Sequence, residues 1–131
     1  MIFIDTNVVM YLVGDDHPHR ADARRLVDRA ITDAERLLTS AEVLQEILHR
    51  YHAISRLDAI QPAFDVLHRL TDEIFPIEVE DVELAKSTVL ERPSISARDA
   101  LHVAVMKRRD IQKILSFDRG FDEVPGIERV T

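Results

Sequence analysis

Four carboxylates stand where an α/β chain would collect them. Asp5 follows directly on the apolar run Ile2-Phe3-Ile4, and Glu46 lies in the second turn of a helix that begins after Leu37-Leu38. Asp99 sits in the first turn of a strongly apolar helix opened by Ser96, and Asp118 follows Ile114-Leu115-Ser116-Phe117. Each has an ordinary alternative. Asp5 is a good N-cap for a following helix, Asp99 can pair with Ser96 in a capping-box-like arrangement, and Asp118 suits a turn before Arg119-Gly120. Glu46 can be a solvent-facing helix acid, and Glu42 is its rival, because Thr39 and Glu42 also fit a capping box. Four like charges gathered at one edge are a different matter, since each opposes ionisation of the others unless a cation sits among them. Mg²⁺ and Mn²⁺ prefer oxygen ligands, and a cage of acids around one or two such ions suits phosphodiester hydrolysis.

The elements that must position these acids alternate along the chain. Ile2-Phe3-Ile4 reads as a buried strand, followed by a short apolar segment from Asn7 to Val13 that Gly14-Asp15-Asp16 closes. From His19 the spacing turns helical, with Ala23, Leu26, Val27, Ala30 and Ile31 on one stripe and Arg20, Arg24, Arg25 and Arg29 largely off it. Leu37-Leu38 is a second strand ending at Thr39-Ser40, and the next helix turns Val43, Leu44, Ile47 and Leu48 inward. Leu57 to Leu70 is mostly helical, with Pro62 either kinking it or lying in its first turn. Ile74-Phe75-Pro76-Ile77 reads as a strand whose proline suits an edge, and Val79 to Leu90 as a helix ending before Pro93. The helix from Ser96 is apolar nearly all round and is expected to be the most buried. A strand over Ile114–Phe117 and a last one over Ile127–Val130 complete the set. Strands alternating with helices imply parallel pairing, so the expected fold is a three-layer α/β/α sandwich around a parallel five-stranded sheet. In such a sheet function gathers at the carboxyl ends of the strands, which is where all four acids fall.

Composition removes most other chemistries. There is no cysteine, so a disulfide scaffold, a thiol nucleophile and a cysteine-held metal cluster are excluded. With only three glycines (Gly14, Gly120, Gly126), neither a P-loop nor a dinucleotide-binding turn can be built. The longest apolar run, Val8 to Val13, is far short of the ~20 residues of a membrane helix, and Met1 leads into a strand without a basic start. The expectation is one soluble cytoplasmic domain over residues 1–131.

At the four acids the chain resembles the PIN domain, specifically the small VapC-type ribonuclease toxins of prokaryotic toxin–antitoxin pairs. The resemblance runs through Ile4-Asp5-Thr6-Asn7, through Thr39-Ser40 and Val43-Leu44-Gln45-Glu46-Ile47, through Ala97-Arg98-Asp99-Ala100-Leu101-His102-Val103-Ala104, and through Leu115-Ser116-Phe117-Asp118-Arg119-Gly120-Phe121. It implies a metal-dependent endoribonuclease with Asp5, Glu46, Asp99 and Asp118 as catalytic, metal-binding carboxylates for Mg²⁺ or Mn²⁺. It favours Glu46 over Glu42, and it makes Thr6 and Ser116 supporting hydroxyl positions. It also implies a homodimer, a cognate VapB-type antitoxin as partner, and RNA as substrate. A PIN nuclease of RNA processing outside any toxin system, and a non-catalytic PIN scaffold binding RNA or protein, are the alternatives. A haloacid-dehalogenase-like phosphatase needs a second Asp two positions after its nucleophile, where this chain has Asn7; a receiver domain needs an early acidic pair and a later lysine that are not placed here.

A formal charge of −7, from 17 Lys+Arg against 24 Asp+Glu, looks wrong for an RNA enzyme. Its distribution matters more than its sum: residues 72–91 are strongly acidic, whereas residues 92–113 and 17–29 are basic. Arg108 and Arg109 are expected on a solvated helix face, with RNA contact the less favoured role. Of the histidines, His102 lies one turn from Asp99 and within reach of an ion. The resemblance places no ligand there, so a core or supporting role is expected.

Overall fold

The computed structural model describes residues 1–14 and 17–131, so the turn expected at Asp15-Asp16 lies outside the described residues. The strands are β1 (Ile2–Ile4), β2 (Leu37–Ser40), β3 (Glu73–Phe75), β4 (Lys113–Leu115) and β5 (Glu128–Val130). The helices are α1 (Thr6–Val13), α2 (Arg20–Thr32), α3 (Ala41–Ala53), α4 (Ile60–Leu70), α5 (Val79–Glu91) and α6 (Ala97–Arg108). Short 3₁₀ turns cover Leu57–Ala59 and Arg119–Glu123. All strand pairs are parallel, in the order β3-β2-β1-β4-β5. The sheet is flanked by helices, as expected for an α/β chain of this pattern.

The order explains where a site can form. From β1 the chain builds outward to β2 and β3, then returns to the other side of β1 to lay down β4 and β5. Helices therefore leave the carboxyl ends of β1 and its neighbours in opposite directions, and the crevice between them is the usual binding place of such sheets. Register brings Ile4 level with Leu115, and Ser40 level with Phe75. Asp5, the start of α3 and Ser116 consequently meet at one edge.

Burial follows the expected inward faces of the strands and of α2 and α3 with two exceptions. Phe3, Ile4, Leu38, Ile114 and Leu115 of the central strands are buried, as are Ala23, Leu26, Val27 and Ala30 of α2. Ile31 is 55% exposed and Leu48 is 47% exposed, although both were expected to face inward. At about 100° of rotation per residue, Leu48 lies about 140° round α3 from Val43. The buried arc of that helix runs instead through Glu46, Ile47 and Tyr51. Ile31 likewise sits one residue beyond the last buried position of α2. Pro62 falls in the first turn of α4, where its missing N–H costs no helical bond. Strand β3 lies at the sheet edge and stops before Pro76, which has no donor for the ladder. The strand expected over Ile114–Phe117 runs one residue earlier and ends at Leu115, because Ser116 and Phe117 turn their polar groups to other partners.

Helix α6 is the most buried helix, with Ala100, His102, Val103, Ala104, Val105 and Met106 all inside. Its Ala100 and Ala104 pack on Ala85 of α5, small residues that let the two helices approach closely. Among the described residues no helix is long and apolar enough to cross a membrane.

Candidate functional site

Asp5 is held in place before any ligand arrives. It ends β1 and forms the N-cap of α1, with Oδ1 accepting the Thr6 amide at 2.7 Å. Its Oδ2 accepts the Ser116 hydroxyl at 2.6 Å, a contact between segments more than a hundred residues apart in sequence. Ser116 Oγ in turn accepts the Asp118 amide at 3.0 Å and the Asn7 side-chain amide at 3.3 Å. One hydroxyl thus ties the start of α1, through Asp5 and Asn7, to the loop after β4, through Asp118. Thr6 supports Asp5 through its amide, and its buried hydroxyl lies toward Glu46, which it helps to keep ionised.

Glu46, on the inward arc of α3, is 7% exposed, and Asp5 is 5% exposed. Between them lies the wholly buried ring of His102. Its Nε2 is 3.7 Å from Asp5 Oδ1 and 3.5 Å from Glu46 Oε1, and donor atoms of these three residues lie within 4.8 Å of one another. Glu46 also faces Arg50 at 3.6 Å and Arg98 at 3.7 Å. Arg98 stands equally close to Glu42, the rival acid, which is more exposed.

Asp99 and Asp118 form an outer layer. Ser96 caps α6 by accepting the Asp99 amide at 3.1 Å, while the Asp99 carboxyl feels the charges of Asp5 and Asp118. Asp118 is exposed and accepts the Gly120 amide at 2.8 Å. A side chain at Gly120 would bring its Cβ to 3.1 Å from that carboxylate, so the glycine leaves Asp118 room to keep this bond. Asp99 and Asp118 line a cleft of about 270 Å³ beside Ser96 and Phe121.

The electrostatics record the crowding. Burial, then the charges of Asp5 and Asp118, push the Asp99 carboxyl up to about 6. Burial raises Asp5 above the usual carboxylate range despite the opposing pull of His102 and Ser116. Burial would raise Glu46 as well, but His102 and Arg98 beside it more than compensate and hold it below its ordinary value. His102 is the converse case: burial disfavours its charged form, yet Glu46, Asp5 and Asp99 together lift its pKa. The donor set is mostly hard carboxylate oxygen converging on one edge, with Arg50 and Arg98 offsetting charge at Glu46 alone and buried polar atoms left unpartnered at Ser40 and His102. That set fits a small divalent cation.

His102 was expected in a core or supporting role, and its ring is wholly buried between two of the carboxylates, a position between Asp5 and Glu46 that the sequence did not specify. The available signal was a lone polar side chain on an otherwise apolar helix, one turn past Asp99. Arg108 and Arg109 were expected on a solvated helix face; Arg108 is exposed and Arg109 half-buried, but the sequence did not show that one acid holds both. Asp81 of α5, itself fully buried, accepts Arg108 at 2.8 Å and Arg109 at 3.0 Å. Arg109 also stacks over the Phe75 ring at 4.7 Å. The acidic stretch and the basic stretch that look separate in sequence neutralise each other where α5 packs on α6.

A third group of side chains rims the site. Tyr11 stacks on His17 at 4.2 Å and meets Phe117 edge-on at 5.1 Å, while His19 lies 4.9 Å from Phe117. The Phe117 amide donates to Asn7 Oδ1 at 3.3 Å, which fixes this ring cluster to the Ser116–Asp5 hydrogen bonds. His19, Arg25, Ser116 and Phe117 share a small cleft of about 150 Å³.

Comparison with known proteins gives a consistent picture. The sequence profile of the PIN domain matches residues 2–127. Ribonuclease VapC13 of Mycobacterium tuberculosis is 57% identical over 130 residues, covering 99% of both chains. Ribonuclease VapC23 of the same species is 42% identical over 118 residues, covering 90% of this chain and 93% of that one. Among solved structures, Mycobacterium tuberculosis VapC20, described as a sarcin-ricin loop cleaving toxin, superposes with a TM-score of 0.76 at 23% identity over 93% of each chain. VapBC2 from Rickettsia felis, bound to a DNA fragment from its promoter, gives a TM-score of 0.76 at 13% identity, over 99% of this chain and 98% of that one. At such identities the structural likeness concerns the fold.

Proposed function

The chain belongs to the PIN domain family, among its VapC ribonucleases, and on that premise we propose that it is a metal-dependent endoribonuclease toxin whose whole length, residues 1–131, acts as one PIN domain. The observation that carries the reading is the convergence of buried Asp5 and Glu46 with Asp99 and Asp118 at the carboxyl edge of the sheet. In this reading all four carboxylates hold Mg²⁺ or Mn²⁺. When bound there, the ion supplies Lewis-acid chemistry, acidifying a water and stabilising negative charge on a phosphodiester. Asp5 and Glu46 give the buried, fixed side of the site. Ser116 keeps the Asp5 carboxylate oriented through its 2.6 Å hydrogen bond. Asp99 and Asp118 face the open cleft, where an RNA phosphate enters.

The rim supports single-stranded RNA as the substrate. Tyr11, His17, His19 and Phe117 offer ring faces next to the carboxylates, suited to stacking unpaired bases. The exposed Arg24 and Arg25 of α2 add phosphate-binding charge on a chain that is acidic as a whole. Arg108 and Arg109, committed to Asp81, take no part. In the same reading the protein works in the cytoplasm as a homodimer and is neutralised by a cognate VapB-type antitoxin; the antitoxin pairing is supported by VapBC complexes that share this fold.

The test is cleavage of total cellular RNA by purified, antitoxin-free protein with Mg²⁺, with Mn²⁺ and with EDTA. Discrete fragments that require the metal are expected, and Asp99→Asn is expected to lower the rate at least about a hundredfold while leaving the protein folded. Cleavage that survives both EDTA and the substitution would reject the reading.

A further inference from the structure

We propose that His102 supplies a nitrogen ligand to the metal site, making with Asp5 and Glu46 a mixed nitrogen–oxygen centre that favours Mn²⁺ over Mg²⁺. The inference rests on the metal-bearing carboxylate site proposed above and adds to it a residue that the family resemblance does not assign.

The ring is 0% exposed, and neither Nδ1 nor Nε2 has a hydrogen-bond partner. A buried polar atom left unmatched is costly, and His102 leaves two. Its Nε2 nevertheless points between two carboxylates, at 3.5 Å from Glu46 Oε1 and 3.7 Å from Asp5 Oδ1. Those separations exceed the roughly 2.7–3.2 Å of a good hydrogen bond. They are about half an ångström wider than the spacing of neighbouring donors around an octahedral ion, which at ligand distances of about 2.1–2.2 Å is about 3.0–3.1 Å, so a small inward shift of the side chains brings all three onto one centre. The three donors come from β1, α3 and α6, which the fold holds in fixed relation. The Phe3 ring, 5.5 Å from the imidazole, backs it from the sheet side.

Chemistry then sets the preference. Mg²⁺ keeps to oxygen and gives up water reluctantly, whereas imidazole nitrogen suits transition ions. Arg98 reaches Glu46 Oε1, the oxygen that faces His102, at 3.7 Å, and Arg50 reaches Oε2 at 3.6 Å. Their charge offsets part of the carboxylate field, so the neutral nitrogen counts for more in choosing the ion. Nδ1 lacks the hydrogen-bonded partner that usually orients a ligating histidine, so the ring's direction depends on packing and its share of the affinity is moderate.

Pulsed electron paramagnetic resonance of the full chain loaded with Mn²⁺, in a buffer free of imidazole, tests this directly. Nitrogen-14 coupling from one directly bound imidazole is expected in the wild type and is expected to vanish in His102→Leu and in Asp5→Asn. Calorimetric titration of His102→Leu should show Mn²⁺ binding weakened about tenfold and Mg²⁺ binding changed by less than about threefold. If His102→Leu does not fold, the wild-type spectrum and Asp5→Asn still decide. Mn²⁺ bound without nitrogen coupling, or with coupling that survives in a folded His102→Leu, would overturn the role of His102 and leave the carboxylate site standing. No Mn²⁺ binding at all would overturn both.

Discussion

The two ends of helix α6 treat aspartate in opposite ways. At its N-terminus Asp99 faces Asp5 and Asp118, and burial together with those charges raises its carboxyl to about 6. At its C-terminus Arg108 and Arg109 close on Asp81 of α5, which also accepts the Glu78 amide at 2.9 Å as part of a capping box. Burial opposes ionisation of Asp81 too, yet these donors hold it down at about 2. The helix dipole favours the acid at one end and the cations at the other, so the dipole does not make the difference. Pairing does. One cluster is neutralised by the protein's own side chains and stabilises the fold, whereas the other is left with excess negative charge and is fit to receive a cation.

The largest effect expected from breaking this contrast is at the neutralised end. Asp81→Ala leaves two guanidinium groups without their shared acceptor and is expected to cost about 3 kcal/mol in unfolding free energy, measured by urea denaturation. Activity per folded molecule should not change, since the clamp lies at the far end of α6 from the carboxylates. The effect carries a pH signature. The folded value of Asp81 lies below its unfolded value, so its contribution is complete above about pH 4 and is lost as pH falls toward about 2. The wild type and Asp81→Asn should therefore differ by a constant amount at neutral pH and converge in acid; a gap that persists at pH 2 would contradict the clamp.

A smaller effect is expected where the site is braced. Ser116→Ala removes the donor to Asp5 and the acceptor of the Asp118 amide together. RNA cleavage should slow about 10–100-fold with little change in melting temperature, the scale seen when groups supporting metal ligands are removed. Unchanged cleavage would mean that Asp5 needs no brace. The smallest effect runs the other way. Asp99→Asn relieves repulsion in the metal-free protein and should stabilise it by about 1 kcal/mol, after allowing for solvent screening of this partly exposed group. Thermal unfolding in EDTA should show a higher midpoint for the variant, and a lower one would deny that the site stores repulsion.

Much of this was legible in the chain. Short apolar runs marked the strands and period-3.6 patterning marked the longer helices, because burying apolar surface dominates the energetics of both; the short apolar segment from Asn7 to Val13 carried no such period, and only the structure shows it as α1. Pro62 and Pro76 were readable because a missing N–H has few tolerated positions. The alternation of elements implied a parallel sheet, and a parallel sheet collects residues that follow its strands at one edge. The pattern could not show that Ile31 and Leu48 face solvent, since hydrophobicity fixes a helix's buried arc only to within a residue or so at its margins.

By itself the sequence determined the fold class, the edge at which acids accumulate and the absence of any thiol or phosphate-loop chemistry. Those follow from residue type and local periodicity. Tertiary structure alone decided which charges meet: that Arg108 and Arg109 are taken by Asp81, that Ser116 reaches Asp5, and that His102 lies between Asp5 and Glu46. Coulomb and hydrogen-bond energies depend on distances of a few ångströms between residues far apart in the chain, and no spacing in a linear sequence encodes those distances.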